Sequence, residues 1–401
     1  MRDLNYLKIL KNEGEVIIFN RTNSKSIRIN EDVFELIKDV QSINKIYEIS
    51  ENCDVGDKDF FESLAKTFEK FNILDDWRKK VLHKIDFIIT DFCNLKCTHC
   101  CYSAFYIDKD KFKQQKITTD IRILDAIIKL NPLQITLTGG EPLVVSNIEE
   151  VALFLKDNYK GIKSLASNAT LITEKNVNLL SNCFDSFDIS IDGINEEKCD
   201  KIRGIGTFNK VINSIKLLKK NNVKNISLSI TLDNETMADR DPFVELCNQL
   251  DVTPITRIMN LKGRAKNNHI SSDKILNFMD ASTSNIASCY DCPGGINSFS
   301  VNYKGEVFPC NNFTSKEFKI GNILDNDLLD NLQWNKNFEW FKNFSEYIPD
   351  TRVECMDCEI NTFCWNCPSV AYSFINNNNI KKLKEICKDK YNKIMEELWC
   401  E

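Results

Sequence analysis

Histidine is scarce here, at three of 401 residues, so mixed cysteine–histidine metal sites are poorly supplied. Cationic charge is not in excess either: 52 Lys and Arg face 58 Asp and Glu, for a net charge of −6. Nucleic-acid binding relies on clustered cations, so no nucleic-acid partner is expected. No apolar run approaches the roughly 18 residues that a membrane span needs, and no membrane partner is expected. The opening residues, Met1 to Tyr6, lack the apolar core of a signal peptide. The expected setting is cytoplasmic, reducing and oxygen-poor.

Cysteine is abundant, at 17 residues. In a reducing compartment such a number points to thiolate ligation rather than disulfides. The length favours two or three domains. Cys93, Cys97 and Cys100 fall in a Cys-x3-Cys-x2-Cys spacing directly after the β-forming run 85–90. They therefore belong on a loop at a strand's carboxyl end, where chemistry collects in parallel α/β folds. A cubane iron–sulfur cluster takes four thiolates, so three from one loop leave one iron open to a ligand. A zinc site completed from elsewhere is the alternative.

Residues 1–80 hold no cysteine motif and read as a separate small domain, with strands near 15–19 and 26–29 followed by two or three helices. From 84 to about 260, strand-like runs at 85–90, 133–138, 163–167, 186–192, 226–232 and 254–259 alternate with amphipathic stretches. That alternation predicts a parallel α/β architecture of six βα units, short of the eight that close a barrel. Within the runs Phe187 and Ile189 oppose Asp188 and Ser190, and Leu228 and Ile230 oppose Ser227 and Ser229. One apolar face under helices and one polar inner face predict an open barrel that holds a ligand.

Several candidates fall at the strand ends. Gly139 and Gly140 let backbone approach a ligand, and Glu141 suits a cationic amino group. Ser190 and Asp192 suit ribose hydroxyls, a recurring use of carboxylates. The guanidinium of Arg203 suits a carboxylate. Gly263-Arg264-Ala265 follows the sixth strand with no assigned role. Beyond residue 285 come Cys289, Cys292 and Cys310, with a hairpin predicted at 299–303 and 306–308. Cys355, Cys358, Cys364, Cys367 and Cys387 follow. Eight cysteines suffice for two four-iron clusters or for two tetrahedral zinc sites.

The cysteine triplet, the Gly-Gly-Glu-Pro run one βα unit later and the C-terminal cysteines resemble the radical S-adenosylmethionine (SAM) enzymes that carry a SPASM extension. The resemblance implies a partial (β/α)6 TIM-like barrel over 84–284 and a SPASM domain over 285–401. It also implies three [4Fe-4S] clusters and SAM. Cys93, Cys97 and Cys100 would hold the SAM cluster, whose electron cleaves SAM to a deoxyadenosyl radical that abstracts hydrogen from substrate. His99 stands where the family usually has a large aromatic, packing on adenine. Gly139, Gly140 and Glu141 match the motif for the SAM ammonium, and Ser190 and Asp192 match the ribose motif. Arg203 matches a carboxylate-binding arginine. Asn168 matches a polar position in a Thr-Asn-Gly pattern, which here reads Ser167-Asn168-Ala169 without the glycine. By the same analogy Cys289, Cys292, Cys310 and Cys367 would hold one auxiliary cluster, and Cys355, Cys358, Cys364 and Cys387 the other. Only two residues separate Cys364 from Cys367, where the family has three. Cys53, Cys101, Cys183, Cys199, Cys247 and Cys400 remain, as buried packing residues; Cys101, beside the triplet, is also a candidate hydrogen-atom donor.

The N-terminal order, strands then helices, resembles the winged-helix, PqqD-like domain that holds leader peptides in ribosomal-peptide maturases. The expected activity is oxidative crosslinking of a precursor peptide, through a thioether or carbon–carbon bond. The expected partners are that precursor peptide and a flavodoxin, ferredoxin or reductase as electron donor. The rivals are sulfatase-type Ser or Cys oxidation, peptide epimerisation and a non-catalytic, zinc-clustered peptide-binding protein.

Overall fold

The computed structural model describes residues 4, 6–20, 23, 25–75, 82–108, 116–233, 235–267, 292–326, 328, 332, 338–348, 352, 355, 357–361, 367–376 and 379–399. Cys289, Cys364 and Cys400 lie outside the described residues.

The chain begins with an antiparallel meander: β1 (Leu7–Asn12), β2 (Glu15–Asn20) and β3 (Lys25–Asn30). Helices α1 (Glu31–Ile37), α2 (Ile43–Glu51) and α3 (Val55–Lys70) follow. Strand β1 is not among the expected ones, because its lysines interrupt the apolar alternation. In β2, Val16 and Ile18 turn to one face and pack with Phe34, Ile46 and Phe68 of the helices. Ile17 and Phe19 turn to the other face, into a second apolar cluster. Buried Asn20 ties sheet to helix end, donating through Nδ2 to the carbonyls of Ile73 (2.9 Å) and Asp75 (2.8 Å).

Strand β4 (Lys84–Ile88) leads into the cysteine loop, which carries a short parallel pair, β5 (Phe92–Cys93) and β6 (Phe105–Tyr106). The barrel continues through α4 (Ile121–Lys129), β7 (Gln134–Thr138), α5 (Ile148–Asn158), β8 (Ile162–Ser167), α6 (Val177–Cys183) and β9 (Ser186–Ser190). After α7 (Glu196–Arg203) and α8 (Thr207–Lys220) come β10 (Asn225–Leu232), α9 (Arg240–Leu250) and β11 (Thr253–Ile258). Six parallel strands thus stand side by side in chain order, the expected partial barrel.

Register explains the two faces. Phe87, Leu137, Leu165, Phe187 and Ile226 are successive neighbours across the sheet and are buried under the helices. Each such side chain contributes about 1.5–3 kcal/mol when withdrawn from water. One residue earlier, Asp86, Thr136, Ser164 and Ser186 form a polar row on the inner face. Gln134 Nε2 donates along it to Thr136 Oγ1 (3.1 Å) and Ser164 Oγ (2.9 Å).

The predicted hairpin forms as β12 (Ser298–Asn302) and β13 (Glu306–Phe308), continued by β14 (Gly321–Asn322). Its attachment was not legible in sequence: β12 pairs parallel with β4, on the edge opposite β7, giving one nine-stranded sheet. The apolar core consequently runs through both the 84–284 and 285–401 segments. Helices α10 (Glu339–Ser345), α11 (Pro368–Ile375) and α12 (Ile380–Trp399) complete the described elements. Ile394 and Leu398 of α12 pack on Leu10, Ile17 and Phe19, so the last helix covers the outer face of the first sheet.

Candidate active site

The site is built where β4 ends. Gly140 N donates to Thr90 O (2.9 Å) and Glu141 N to Phe92 O (2.9 Å), zipping the loop after β7 onto the cysteine loop. A Cβ on Gly140 would lie 2.2 Å from Phe92 O, and one on Gly139 2.3 Å from Thr90 O, so the pair's smallness is required by this approach. The glycine pair therefore serves loop against loop.

Glu141 is fully buried. One carboxylate oxygen accepts from Leu143 N (3.1 Å) and Ser167 Oγ (2.8 Å), the other from Asn168 N (2.7 Å). Burial raises its pKa, opposed by those bonds. Protein donors thus hold this carboxylate in place, and it ties the loop after β8 to the loop after β7. Asn168 is delivered by that tie to the cysteine loop, where its Nδ2 lies 2.9 Å from Asn94 Oδ1 and 3.8 Å from Cys93 Sγ. Ala169, where the resemblance leads one to expect glycine, adopts a left-handed φ of 57°.

Cys93 is buried, and Cys97 and Cys100 are half-buried. Burial pushes the Cys93 thiol up to about 12, with Glu141, Cys97 and Cys100 adding to the rise. Burial also raises Cys97, Arg203 opposing it while Asp192 and Cys100 add. Three thiols that feel one another in a desolvated loop resist ionising alone, whereas iron takes them as thiolates and releases their protons. Leu95 N donates to Cys93 Sγ (3.4 Å), a bond that suits a ligated sulfur. The donor set fits a three-thiolate cluster. Among the described residues no three of His, Cys, Asp and Glu group so as to hold a single metal ion.

The other candidates converge beside the triplet. His99 Nε2 lies 2.9 Å from Asp192 Oδ2, and Arg203 Nε donates to the same oxygen at 2.7 Å. Thr231 N donates to Asp192 Oδ1 at 2.6 Å. Burial alone would raise the Asp192 pKa, but Arg203 and His99 outweigh it and hold the carboxyl far below its usual range. The strand expected over 186–192 is two residues shorter. Strand β9 ends at Ser190, and Asp192 sits beyond it with φ 54°, turned toward His99 and Arg203. Ser190 keeps its strand position and accepts from Ser229 Oγ (3.4 Å).

Arg264, whose role was open, braces the cluster loop. Its N donates to Cys100 O (2.9 Å), its Nε to Cys97 O (2.9 Å) and its Nη1 to Ala104 O (2.7 Å). Gly263, at φ 57°, lies so close that a Cβ would fall 2.5 Å from Cys101 O. Nothing in the local sequence pairs 263–264 with 97–104, since the contact is made only when the sixth strand comes round.

Across the sheet, Cys310 sits just past β13. Burial pushes it up to about 12, Cys367 adding to the rise. Cys355 is raised by burial, with Arg352 opposing and Cys387 and Cys358 adding. Cys310 thus lies near Cys367, and Cys355 near Cys358 and Cys387. Of the remaining cysteines, Cys183, Cys199 and Cys247 are buried.

An open parallel barrel with three cysteines at its carboxyl mouth, and further cysteines in the segment that follows an appended hairpin, is the architecture of an iron–sulfur barrel enzyme. Residues 87–247 match the radical SAM superfamily, and residues 289–368 match the SPASM iron–sulfur cluster-binding domain. The chain is a radical SAM enzyme with a SPASM domain, using a SAM-binding four-iron cluster and auxiliary clusters. It is 22% identical over 297 residues to the mycofactocin maturase MftC of Mycobacterium tuberculosis, covering 67% of this chain and 74% of that protein. It is 26% identical over 322 residues to the cysteine-type anaerobic sulfatase-maturating enzyme of Clostridium perfringens, covering 68% and 84%. The fold matches SAM-bound Streptococcus suis SuiB with a TM-score of 0.52 at 14% identity, over 90% of this chain and 94% of that one. A further structure shows SuiB bound to the precursor peptide SuiA. Among the described residues no helix is long and apolar enough to cross a membrane.

Proposed function

We propose that this enzyme matures a ribosomally made precursor peptide, holding the leader on the N-terminal sheet while the core peptide enters the barrel mouth. The observation that carries the reading is the free edge of β3. Among the described residues no strand pairs with it beyond β2, and Lys25, Ser26, Arg28 and Asn30 along it are exposed or half-buried. An extended peptide added there gains main-chain hydrogen bonds, the mode of recognition by strand addition. Three strands followed by three helices suit the PqqD-like domain, and the relatives named as maturases support a peptide substrate.

Cys93, Cys97 and Cys100 hold the SAM cluster in this reading, and the cofactors supply a deoxyadenosyl radical that takes hydrogen from the peptide. The protein's part is position and dryness. Arg264 fixes the cluster loop, Glu141 fixes the loop carrying Asn168, and Asp192 pre-orients His99 and Arg203 toward the ligand. Cys289, Cys292, Cys310 and Cys367 hold one auxiliary cluster, and Cys355, Cys358, Cys364 and Cys387 the other. These clusters would supply one-electron chemistry, and a flavodoxin, ferredoxin or reductase would be the electron donor, for a product carrying a thioether or carbon–carbon crosslink. Sulfatase-type oxidation is the second reading, favoured by the relative that is 26% identical.

The test incubates reconstituted enzyme with SAM, a reductant and short peptides encoded beside its gene. The expected product has lost two hydrogens, and tandem fragmentation finds two residues joined. Loss of two hydrogens at one Ser or Cys supports the second reading, and an unchanged mass with an inverted centre overturns both.

A further inference from the structure

A pocket of about 250 Å³ opens between the two cysteine-bearing regions, lined by Cys101 and Tyr102 from the cluster loop, by Lys262 after β11, by Asn311, Ser315 and the carboxylate-bearing Glu317 beyond Cys310, and by Tyr372 of α11. Its polar groups are unusually idle. Tyr102 Oη, Ser315 Oγ and Asn311 Oδ1 are buried with no hydrogen-bond partner among the described residues. Buried polar atoms are ordinarily paired, so three around one cavity mark a site awaiting an occupant. Lys262 sharpens the point. Its ammonium donates to Asn312 O and lies 5.4 Å from the centre of the Tyr372 ring. Among the described residues no carboxylate lies within ion-pair distance of it. An ammonium has three N–H donors, so two remain. Burial lowers its pKa, with Cys101, Cys310 and Glu317 opposing.

From this geometry we infer that the pocket recognises a carboxylate of the substrate peptide, with Lys262 as the specificity-determining residue. The inference rests on the peptide reading above and names what that peptide must carry. Lys262 Nζ, Tyr102 Oη and Ser315 Oγ supply donors to the two carboxylate oxygens. Asn311 Oδ1, held by its own Nδ2 bond to Asp86 Oδ2 (2.8 Å), supplies an acceptor for a neighbouring backbone N–H. Charge-assisted bonds of this kind are about twice as strong as neutral ones. The carboxylate comes either from an Asp or Glu side chain or from the peptide's C-terminus, and the chemistry of the pocket is the same for both.

Three probes separate the cases on the reconstituted holoenzyme by saturation-transfer NMR. N-acetyl-alanine carries a terminal carboxylate, N-acetyl-aspartic acid amide a side-chain carboxylate, and N-acetyl-alanine amide none. At least one acid is expected to bind about tenfold or more tightly than the neutral amide. The tighter acid identifies the source. Lys262→Met is expected to abolish the preference, Lys262→Arg to keep part of it and Tyr102→Phe to weaken it less. Equal binding of the three probes, or a preference that survives Lys262→Met, overturns the inference. So does a fall in iron content in Lys262→Met, because the lysine would then serve cluster assembly. Reductive SAM cleavage is measured on the same samples. Its absence from the wild-type enzyme would sink the maturase reading, while the probe comparison decides the pocket on its own.

Discussion

At the residue scale, the site is held by contacts that make each candidate depend on another. Asp192 is the hub, with His99, Arg203 and Thr231 on one carboxylate. Removing its charge leaves Arg203 buried beside a neutral amide. Asp192→Asn is predicted to cost about 3–5 kcal/mol, the usual consequence of breaking a buried pair. Denaturant unfolding of Asp192→Asn, Arg203→Met and the double variant checks this, because a coupled pair gives a double loss well short of the sum of the single losses. Gly263 is the second sensitive point. A methyl there meets the backbone carbonyls of Cys100 and Cys101, which have no room to yield. Gly263→Ala is predicted to lose about four irons, those of the SAM cluster, while auxiliary iron remains. An unchanged iron content would show that the brace does not matter. The thiol triplet was legible in sequence because its spacing is local. The mutual engagement of His99, Asp192 and Arg203 was not, because spacing says nothing of which side chain reaches which. The protein donors to Glu141 and Asp192 were not legible for the same reason, since a motif names a carboxylate without showing what donates to it.

At the element scale, alternation carried most of the fold. The six parallel strands were readable because polar and apolar residues separate by face, and register then lines those faces across the sheet. Strand β1 escaped because Lys8 and Lys11 dilute its pattern. Helix α12 had no expected role beyond carrying Cys387, yet its apolar side seats the N-terminal sheet. Arg28 reinforces that seat by donating to Leu398 O and standing 5.7 Å from the Trp399 ring centre. Leu398→Ala is predicted to remove about 2–4 kcal/mol from this contact. Hydrogen exchange should quicken in β1–β3 and stay unchanged in the barrel strands. Equal quickening throughout would mean that the sheet and barrel unfold as one unit.

At the scale of the whole molecule, β12 is the decisive join. By pairing with β4, it ties the hairpin that leads to Cys310 to the same strand that delivers Cys93, Cys97 and Cys100. Tyr303 Oη adds a bond to Asp91 Oδ2 (2.9 Å), just before the triplet. The cysteine loop and the hairpin that leads to Cys310 are therefore joined by one continuous sheet. The central claim is that this sheet organises three four-iron clusters. The most direct test is the iron, sulfide and zinc content of anaerobically reconstituted protein beside a Cys93→Ala/Cys97→Ala/Cys100→Ala variant. The account predicts about twelve irons per chain, falling by about four in the variant. Zinc in the C-terminal cysteines, with iron confined to the triplet, would contradict the auxiliary clusters, and a protein that takes up no iron would contradict the enzyme itself.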